Sequence, residues 1–432
     1  MKLFRGRKIF IRERKIIMKK ITILFAIFLI LNISTTIESL DPLENLIKLL
    51  SSFDPLGLIL NLVLNLLKGL LTPTLPLSNE ELKELAETLK ELSKLGYSIS
   101  QEELLRIAQN VADINKITGG EWTAKLTLQA LLPEQAQMRL CGDAEANGGD
   151  DDDDDDDEPS RDKREAGRSK RAVSCTYNIE FDARKEWPGC KPIIDYVQNQ
   201  GYCGSCWAHS VASCYTDRYC IERAKKRVST PNNATYTFSA FDLLSCSKAK
   251  GCDGGLEKDA WKWIETNGIC TGTDYERQNG CKPYPFSPTV KNPQLQRCSQ
   301  SCTNSRWRPT YPTDRKHYGT LKIIEKINLM SSICSDITQK NGPVSAAFVV
   351  YEDFQGYKDG VYRYVKGIKK GGHAIVIVGY GTATCGAEKI PFWIIRNSWG
   401  PRWGKGGFFY IRRGKDECNI ETRGISYGVP KI

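Results

Sequence analysis

Leucine recurs at helical spacing between residues 82 and 92. Leu82, Leu85, Leu89 and Leu92 fall on one face of a 3.6-residue turn. Ser78-Asn-Glu-Glu81 precedes that stripe as a capping box, in which the serine and the glutamate satisfy each other's backbone donors. Gly96 follows the last leucine, where a left-handed residue stops a helix. Ser100-Gln-Glu-Glu103 opens a second helix carrying Leu104, Leu105, Ile107 and Val111. Ahead of both, residues 42–71 are leucine-rich, through Leu56, Leu58, Ile59, Leu60, Leu62, Val63, Leu64, Leu66 and Leu67. This run reads as an amphipathic or interfacial helix, and the sequence assigns it no role. Further back, Lys19-Lys20 precede an apolar run over 21–33, closed by Ser34-Thr-Thr36. That length suits the core of a secretory signal and is too short to span a bilayer. Residues 1–40 are therefore expected to be a signal peptide with a basic extension, so that the membrane is met only during secretion.

From Phe181 onward the pattern changes. Helices are predicted over 206–221 and 256–266. The later part alternates as strands do, over 344–351, 374–380, 392–396 and 407–412. A helical half followed by a strand-rich half predicts an α+β fold, with a cleft between the halves as the place for a site.

Charge divides the chain in the same way. Residues 1–40 carry +7, residues 41–171 carry −11 and residues 172–432 carry +14, which together make the chain's +10. An acidic block and a basic block in one chain predict two parts that attract each other, beyond the plain solvation of each. No nucleic-acid recognition motif accompanies the basic part, so no nucleic-acid partner is expected. Between the blocks, the eight aspartates from Asp150 to Asp157 bury nothing apolar and repel one another. Lys163-Arg164 and Arg168-Ser-Lys-Arg171 follow in the same polar stretch, presented as processing proteases cut them. The expected division is a propeptide over 41–146, a processing linker over 147–171 with its cut between Arg171 and Ala172, and a catalytic domain over 172–432. Sixteen cysteines point to an oxidising compartment, extracellular or lysosomal. Asn233-Ala-Thr235 is a glycosylation sequon.

The chemistry gathers on a few positions. Cys206 stands where the first helix of the catalytic domain should begin, and helix N–H groups aimed at a sulfur favour its thiolate. Only three histidines are present: His209, His317 and His373. His209 lies one turn after Cys206 and packs inward as a core residue, while His317 belongs to a loop. His373 follows Gly371-Gly372 and opens a run of Ala, Ile, Val, Ile and Val, a strand that holds a ring rigidly. Asn397 suits the acceptor that orients this imidazole, with Trp399 shielding the bond from water. Gln200 supplies a side-chain N–H for a developing oxyanion, and the Cys206 backbone N–H the second. The pattern predicts acyl transfer through a thioester: Cys206 attacks, His373 donates to the leaving amine and water completes hydrolysis. It calls for no metal and no cofactor.

The stretch Gln200-Gly-Tyr-Cys203-Gly-Ser-Cys206-Trp207, with Gly371-Gly372-His373-Ala374 and Asn397-Ser398-Trp399-Gly400, resembles the papain-like cysteine proteases. Within them it looks most like the cathepsin B-like subgroup. Phe181-Asp-Ala-Arg184, Gly280-Cys-Lys-Pro-Tyr284, Lys316-His-Tyr-Gly319 and Tyr351-Glu-Asp-Phe354 carry that closer likeness. The resemblance implies a two-lobed fold, a helical left lobe and a β-barrel-like right lobe, preceded by an inhibitory prosegment around Trp122 and Met138-Arg-Leu-Cys141-Gly142. It implies that Gly254, Gly255 and Gly372 hold a substrate backbone and that Trp399 lines the leaving-group side. It also implies the disulfides Cys190–Cys220, Cys203–Cys252, Cys246–Cys298 and Cys281–Cys302. Cys175, Cys214, Cys270, Cys334, Cys385 and Cys418 are left without an assignment.

Two departures from the subgroup carry expectations. Its members hold a substrate's C-terminal carboxylate with a histidine pair on a loop. The matching stretch here, residues 282–297, has no histidine and no internal cysteine pair, which predicts an endopeptidase without dipeptidyl carboxypeptidase activity. Lys282, Lys291 and Arg297 remain as cations for a carboxylate. The second departure is Arg423, aligned with a glutamate that accepts arginine two residues before the cut. A positive charge there should repel arginine; the plain alternative is that Arg423 points to solvent. Competing readings of the whole chain are a non-catalytic binding homologue and a transpeptidase on the same fold.

Overall fold

The computed structural model describes residues 42–52, 58–143, 173–229, 236–247, 250–315, 318–324, 334, 342–423 and 425–432. The expected signal peptide, the aspartate run, the Arg171–Ala172 cut, the Asn233 sequon and His317 lie outside the described residues.

The capping signals place the leading helices well. Helix α3 (Asn79–Lys94) starts from Ser78, whose hydroxyl accepts from Glu81 N while Glu81 Oε2 accepts from Ser78 N at 3.0 Å. Gly96, at φ +66°, follows its end. Helix α4 (Gln101–Thr118) starts from Ser100 and stops at left-handed Gly119. The leucine-rich run forms two helices rather than one, α1 (Pro42–Ser52) and α2 (Leu58–Leu71). Both fold back on α3. Leu43, Ile47, Val63, Leu67 and Leu71 are buried together with Leu85, Leu89 and Leu92. The run's apolar stripe is therefore used inside the protein, where periodicity alone also allowed an interfacial helix.

The catalytic domain is built around α5 (Cys206–Lys225). It is buried on almost every side from Cys206 to Ile221, as a helix threaded through a core must be. Helices α6 (Ala240–Cys246) and α7 (Glu257–Asn267) pack on it. A nine-stranded sheet forms the other half. Its strands are β1 (Trp122–Ala124), β2 (Cys175–Asp182), β3 (Tyr318–Ile324), β4 (Val344–Tyr351), β5 (Tyr357–Tyr362), β6 (Lys369–Cys385), β7 (Glu388–Arg396), β8 (Phe408–Arg412) and β9 (Ile425–Pro430). They run in the order β1-β5-β8-β7-β6-β4-β9-β3, with β2 paired to β6. β1 and β3 stand at opposite ends of that order, so among the described residues the barrel-like sheet is not closed, and a helical half packed on a sheet half gives the expected α+β class.

All four implied disulfides are present. A fifth, Cys175–Cys385, ties β2 to β6 across the register pair of the same two residues. Nothing in the sequence marked these two as partners, because they are 210 residues apart and meet only when β2 docks. Cys141, Cys206, Cys214, Cys270 and Cys418 stand outside these five disulfides.

The leading segment is bound to the sheet as well as to its own helices. β1 adds to the edge of β5 in antiparallel register, Trp122 opposite Gly360. Edge addition satisfies an otherwise open row of backbone groups. Trp122 is fully buried against Tyr357 and Tyr362. A Cβ on Gly360, at φ +98°, would meet Trp122 Cα at 2.4 Å, so only glycine admits so close a neighbouring backbone. Charge follows the predicted sense. Acidic residues of the leading segment face bases of the catalytic domain in Glu81–Lys358, Glu91–Arg402, Asp113–Lys366 and Glu134–Lys370. Glu121, nearly buried, joins both Arg363 and Arg412. Most of these pairs are partly exposed and contribute little singly; the Glu121 pair is the exception.

Candidate active site

Cys206 is the first residue of α5 and is fully buried. Its sulfur accepts a hydrogen bond from Gly142 N at 3.2 Å. His373 sits on β6, opposite Phe348 of β4. Its Nε2 meets Asn397 Oδ1 at 2.7 Å. Because an amide oxygen only accepts, Nε2 carries the proton and Nδ1 is left with the lone pair that a base needs. Asn397 is fixed in turn: its Oδ1 accepts from Ser398 N at 2.7 Å, and its N–H donates to Gly407 O. Trp399 covers this bond, its ring 4.8 Å from the imidazole and inclined by 34°.

Gln200 is held at both ends. Its N–H donates to Ser398 O at 2.9 Å, and Ser398 Oγ donates to its Oε1 at 2.6 Å. With the oxygen so engaged, the Nε2 group faces the site. Ser398 was visible in the sequence only as a neighbour of Asn397; its grip on Gln200 appears when the two loops meet.

Cys206, His373 and Gln200 are covered by the leading segment. Gln200 Nε2 donates to Leu140 O at 3.1 Å, so a backbone carbonyl lies on the predicted oxyanion donor. Gly255 N donates to Gly142 O at 3.0 Å, and Asp143 N donates to Gly372 O at 3.1 Å. Residues 142 and 143 therefore run as a short strand between Gly255 and Gly372, along the glycines expected to hold a substrate. Gly254 approaches the same strand, a Cβ there falling 3.1 Å from Gly142 O. Gly142 itself has no room for a side chain: a Cβ would stand 2.0 Å from Gly204 O.

This cover sets the protonation of the pair. Burial pushes the Cys206 thiol up to about 12, against the opposing hydrogen bonds from Ala374 and Gly142 N–H. Burial also pushes the His373 imidazole down to about 4, although Asn397 and Leu140 favour its charged form. The covered pair is thus a neutral thiol and a neutral imidazole. The helix N-terminus alone, on which the sequence expectation of a thiolate rested, is outweighed by desolvation.

The loop at 282–297 requires one correction. Lys282 is not available to a substrate carboxylate. Its ammonium is buried, donates to Asp242 Oδ1 at 2.7 Å and to Ser299 O at 2.6 Å, and lies over the Tyr311 ring. Lys291 is spent on the leading segment, donating to Gly96 O at 2.7 Å and capping the Tyr97 ring at 3.7 Å. Arg297 is exposed. Arg423 is half-buried, its N–H bonded to Asn419 O at the end of a tight turn. Cys270, Cys281 and Asp314 bring three ligand-type atoms within 4.8 Å. They do not form a metal site, since Cys281 is bonded to Cys302 and Asp314 accepts from Thr271 N, Thr271 Oγ1 and Trp307 Nε1.

The chain is similar to known proteins. The family described as papain family cysteine protease matches residues 177–428. The chain is 42% identical over 274 residues to cathepsin B-like cysteine proteinase 4 of Caenorhabditis elegans, covering 60% of this chain and 76% of that protein. It is 40% identical over 263 residues to a cathepsin B-like cysteine proteinase of Schistosoma japonicum, covering 56% and 70%. Among solved structures, procathepsin B S9 from Trypanosoma congolense aligns with a TM-score of 0.56 at 28% identity, over 75% of this chain and 98% of that one.

Proposed function

The chain belongs to the papain family of cysteine proteases, and from that premise we propose a zymogen whose processed form is an endopeptidase working through a Cys206 thioester. The observation that carries this reading is the meeting of Cys206, His373, Asn397 and Gln200 under one strand of the leading segment. Once residues 42–143 leave, water and substrate reach the pair, and the desolvation that keeps it neutral falls away. His373 Nδ1 then takes the thiol proton, and the imidazolium is held by Asn397. The thiolate adds to the scissile carbonyl. Gln200 Nε2 and the Cys206 N–H receive the negative oxygen, and both are fixed before the reaction begins. His373 returns the proton to the leaving amine, and water, activated by the same ring, resolves the acyl-enzyme. Gly254, Gly255 and Gly372 hold the substrate backbone in extended form, as they hold Gly142 and Asp143 here.

The proposed domain division is a propeptide over 41–146, a processing linker over 147–171 and a catalytic domain from Ala172; the contacts of Leu140, Gly142 and Asp143 with the cleft support a propeptide role for the leading segment. Five disulfides favour the secretory pathway, with an extracellular or lysosomal destination. No described helix is long and apolar enough to cross a membrane.

The processed enzyme is an endopeptidase with little dipeptidyl carboxypeptidase activity. With Lys282 buried in an ion pair and no histidine on the loop, the stretch 282–297 offers a substrate carboxylate no built anion site. The test is one peptide, supplied as free acid and as C-terminal amide, with products read by mass spectrometry. Internal cuts indifferent to the C-terminus support the reading. Dipeptides released only from the free acid overturn it, and spliced products would indicate a transpeptidase.

A further inference from the structure

His209 stands one turn after the nucleophile, is 1% exposed and has no part in the mechanism above. Burial pushes its imidazole down to about 4, so the ring is neutral over the working range of the site and carries a single proton. That proton can be placed. Nδ1 lies 3.1 Å from the Ser205 carbonyl oxygen, which only accepts, and 3.2 Å from Ser205 Oγ. Nδ1 therefore bears the hydrogen and donates. Nε2 keeps its lone pair and has no hydrogen-bond partner among the described residues. The ring packs edge-on against Tyr284 with 4.7 Å between centroids.

The Ser205 carbonyl is half of the peptide whose other half is the Cys206 N–H. A planar trans peptide points its C=O and its N–H in opposite directions, so whatever fixes one fixes the other. Three donors converge on this carbonyl: Ala208 N at 3.0 Å, His209 N at 3.0 Å and His209 Nδ1 at 3.1 Å. The first two are ordinary first-turn bonds. The third comes from a side chain and adds polarisation to orientation, since donation to a carbonyl strengthens the N–H of the same peptide as a donor. The hydroxyl of Ser205 does not cap the helix. It lies 2.9 Å from Tyr284 Oη, whose own hydrogen goes to Gln200 O at 2.8 Å. The ring, the Ser205 peptide, Tyr284 and Gln200 thus form one bonded series behind both oxyanion donors.

We propose that His209 is a positioning residue of the oxyanion site: its Nδ1–H orients and polarises the Ser205–Cys206 peptide, so that the Cys206 N–H receives the oxyanion more strongly. The inference rests on the Cys206 and Gln200 roles proposed above. It does not concern the thiolate, so it separates two quantities that a general packing role would move together.

The experiment uses the processed enzyme and three variants: His209→Phe, which keeps an aromatic ring in the cavity; His209→Asn, whose amide N–H replaces that of Nδ1; and Gln200→Ala. Each is measured for kcat and KM on a peptide amide, for affinity towards a peptide aldehyde that forms a hemithioacetal oxyanion, and for the rate of Cys206 alkylation by iodoacetamide. The expected result for His209→Phe is a fall in kcat of about tenfold, less than the 10²–10³ for outright loss of a donor. Aldehyde affinity should fall by the same factor, with KM and alkylation within about twofold of the parent, and His209→Asn should recover most of the loss. Unchanged aldehyde affinity in His209→Phe overturns the proposal, as does an alkylation rate that falls in step with kcat, or no recovery in His209→Asn. If Gln200→Ala leaves aldehyde affinity unchanged, the oxyanion site itself has been misplaced, and the proposal fails with that reading.

Discussion

Gly142 N donates a hydrogen bond to Cys206 Sγ at 3.2 Å, so the backbone of the leading segment rests directly on the nucleophile. The approach depends on the absence of a side chain, because a Cβ on Gly142 would overlap Gly204 O. Overpacking of this kind typically costs about 1–3 kcal/mol. In Gly142→Val the uncleaved chain should therefore open its cleft roughly ten- to a hundredfold more often. Hydrolysis of a fluorogenic peptide by the uncleaved variant reads this directly. Activity no higher than that of the uncleaved parent would remove the argument.

The neutral pair predicts an unreactive thiol in the uncleaved chain. With Cys206 pushed up to about 12, its thiolate fraction at neutral pH is very small and grows only in strong alkali. Carboxymethylation of Cys206, followed by mass spectrometry, should be slow at pH 7 before cleavage and at least about a hundredfold faster after it. Equal rates in the two forms would show that desolvation does not govern the site.

Acid should speed the conversion of the zymogen, through carboxylates that bridge the two parts. The capping bond from Ser78 and then the Lys358 ammonium hold Glu81 down at about 2, against an ordinary 4.5. The part of that shift owed to Lys358 stabilises the docked state above the ordinary value and is lost as pH falls from 4.5 towards 2, whereas the Ser78 part stays with the leading segment. The shift of Asp113 is downward too, from Gln109 and Lys366. The conversion rate should thus rise most steeply below about pH 4.5, and Glu81→Gln should flatten that rise. A rate that is constant between pH 6 and pH 3.5 would contradict the prediction.

The resemblance aligns Arg423 with a pocket residue of the subgroup, and a positive charge in that pocket should disfavour arginine two residues before the cut. Charge reversal in Arg423→Glu is expected to raise kcat/KM for such a substrate by about tenfold or more, while substrates with an apolar residue there change little. Profiling both enzymes on paired peptides checks this. Efficient cleavage after an Arg-Arg pair by the parent enzyme would mean that Arg423 faces solvent.

Much of the site was legible because its parts are local. A capping box is written in four consecutive residues, and Ser78 to Glu81 starts α3 where that pattern places it. The strand over 344–351 has the bounds that its composition predicts. Cys206, His373, Asn397 and Gln200 could be named from their neighbours, since each sits in a short motif whose residue types suit one chemical task.

What the sequence by itself determined, then, is what short-range physics controls: caps, periodicity, the short motifs that hold the proposed nucleophile and its partners, and an acidic segment facing a basic one. Only the tertiary structure decided the rest. It paired Cys175 with Cys385 across 210 residues, folded the leucine-rich run onto α3, set the order of the strands and buried Lys282 against Asp242. It also keeps the Cys206–His373 pair neutral while the leading segment covers it. Each of these depends on which surfaces lose water when distant segments meet, and desolvation is a property of the assembled fold that no local stretch of sequence carries.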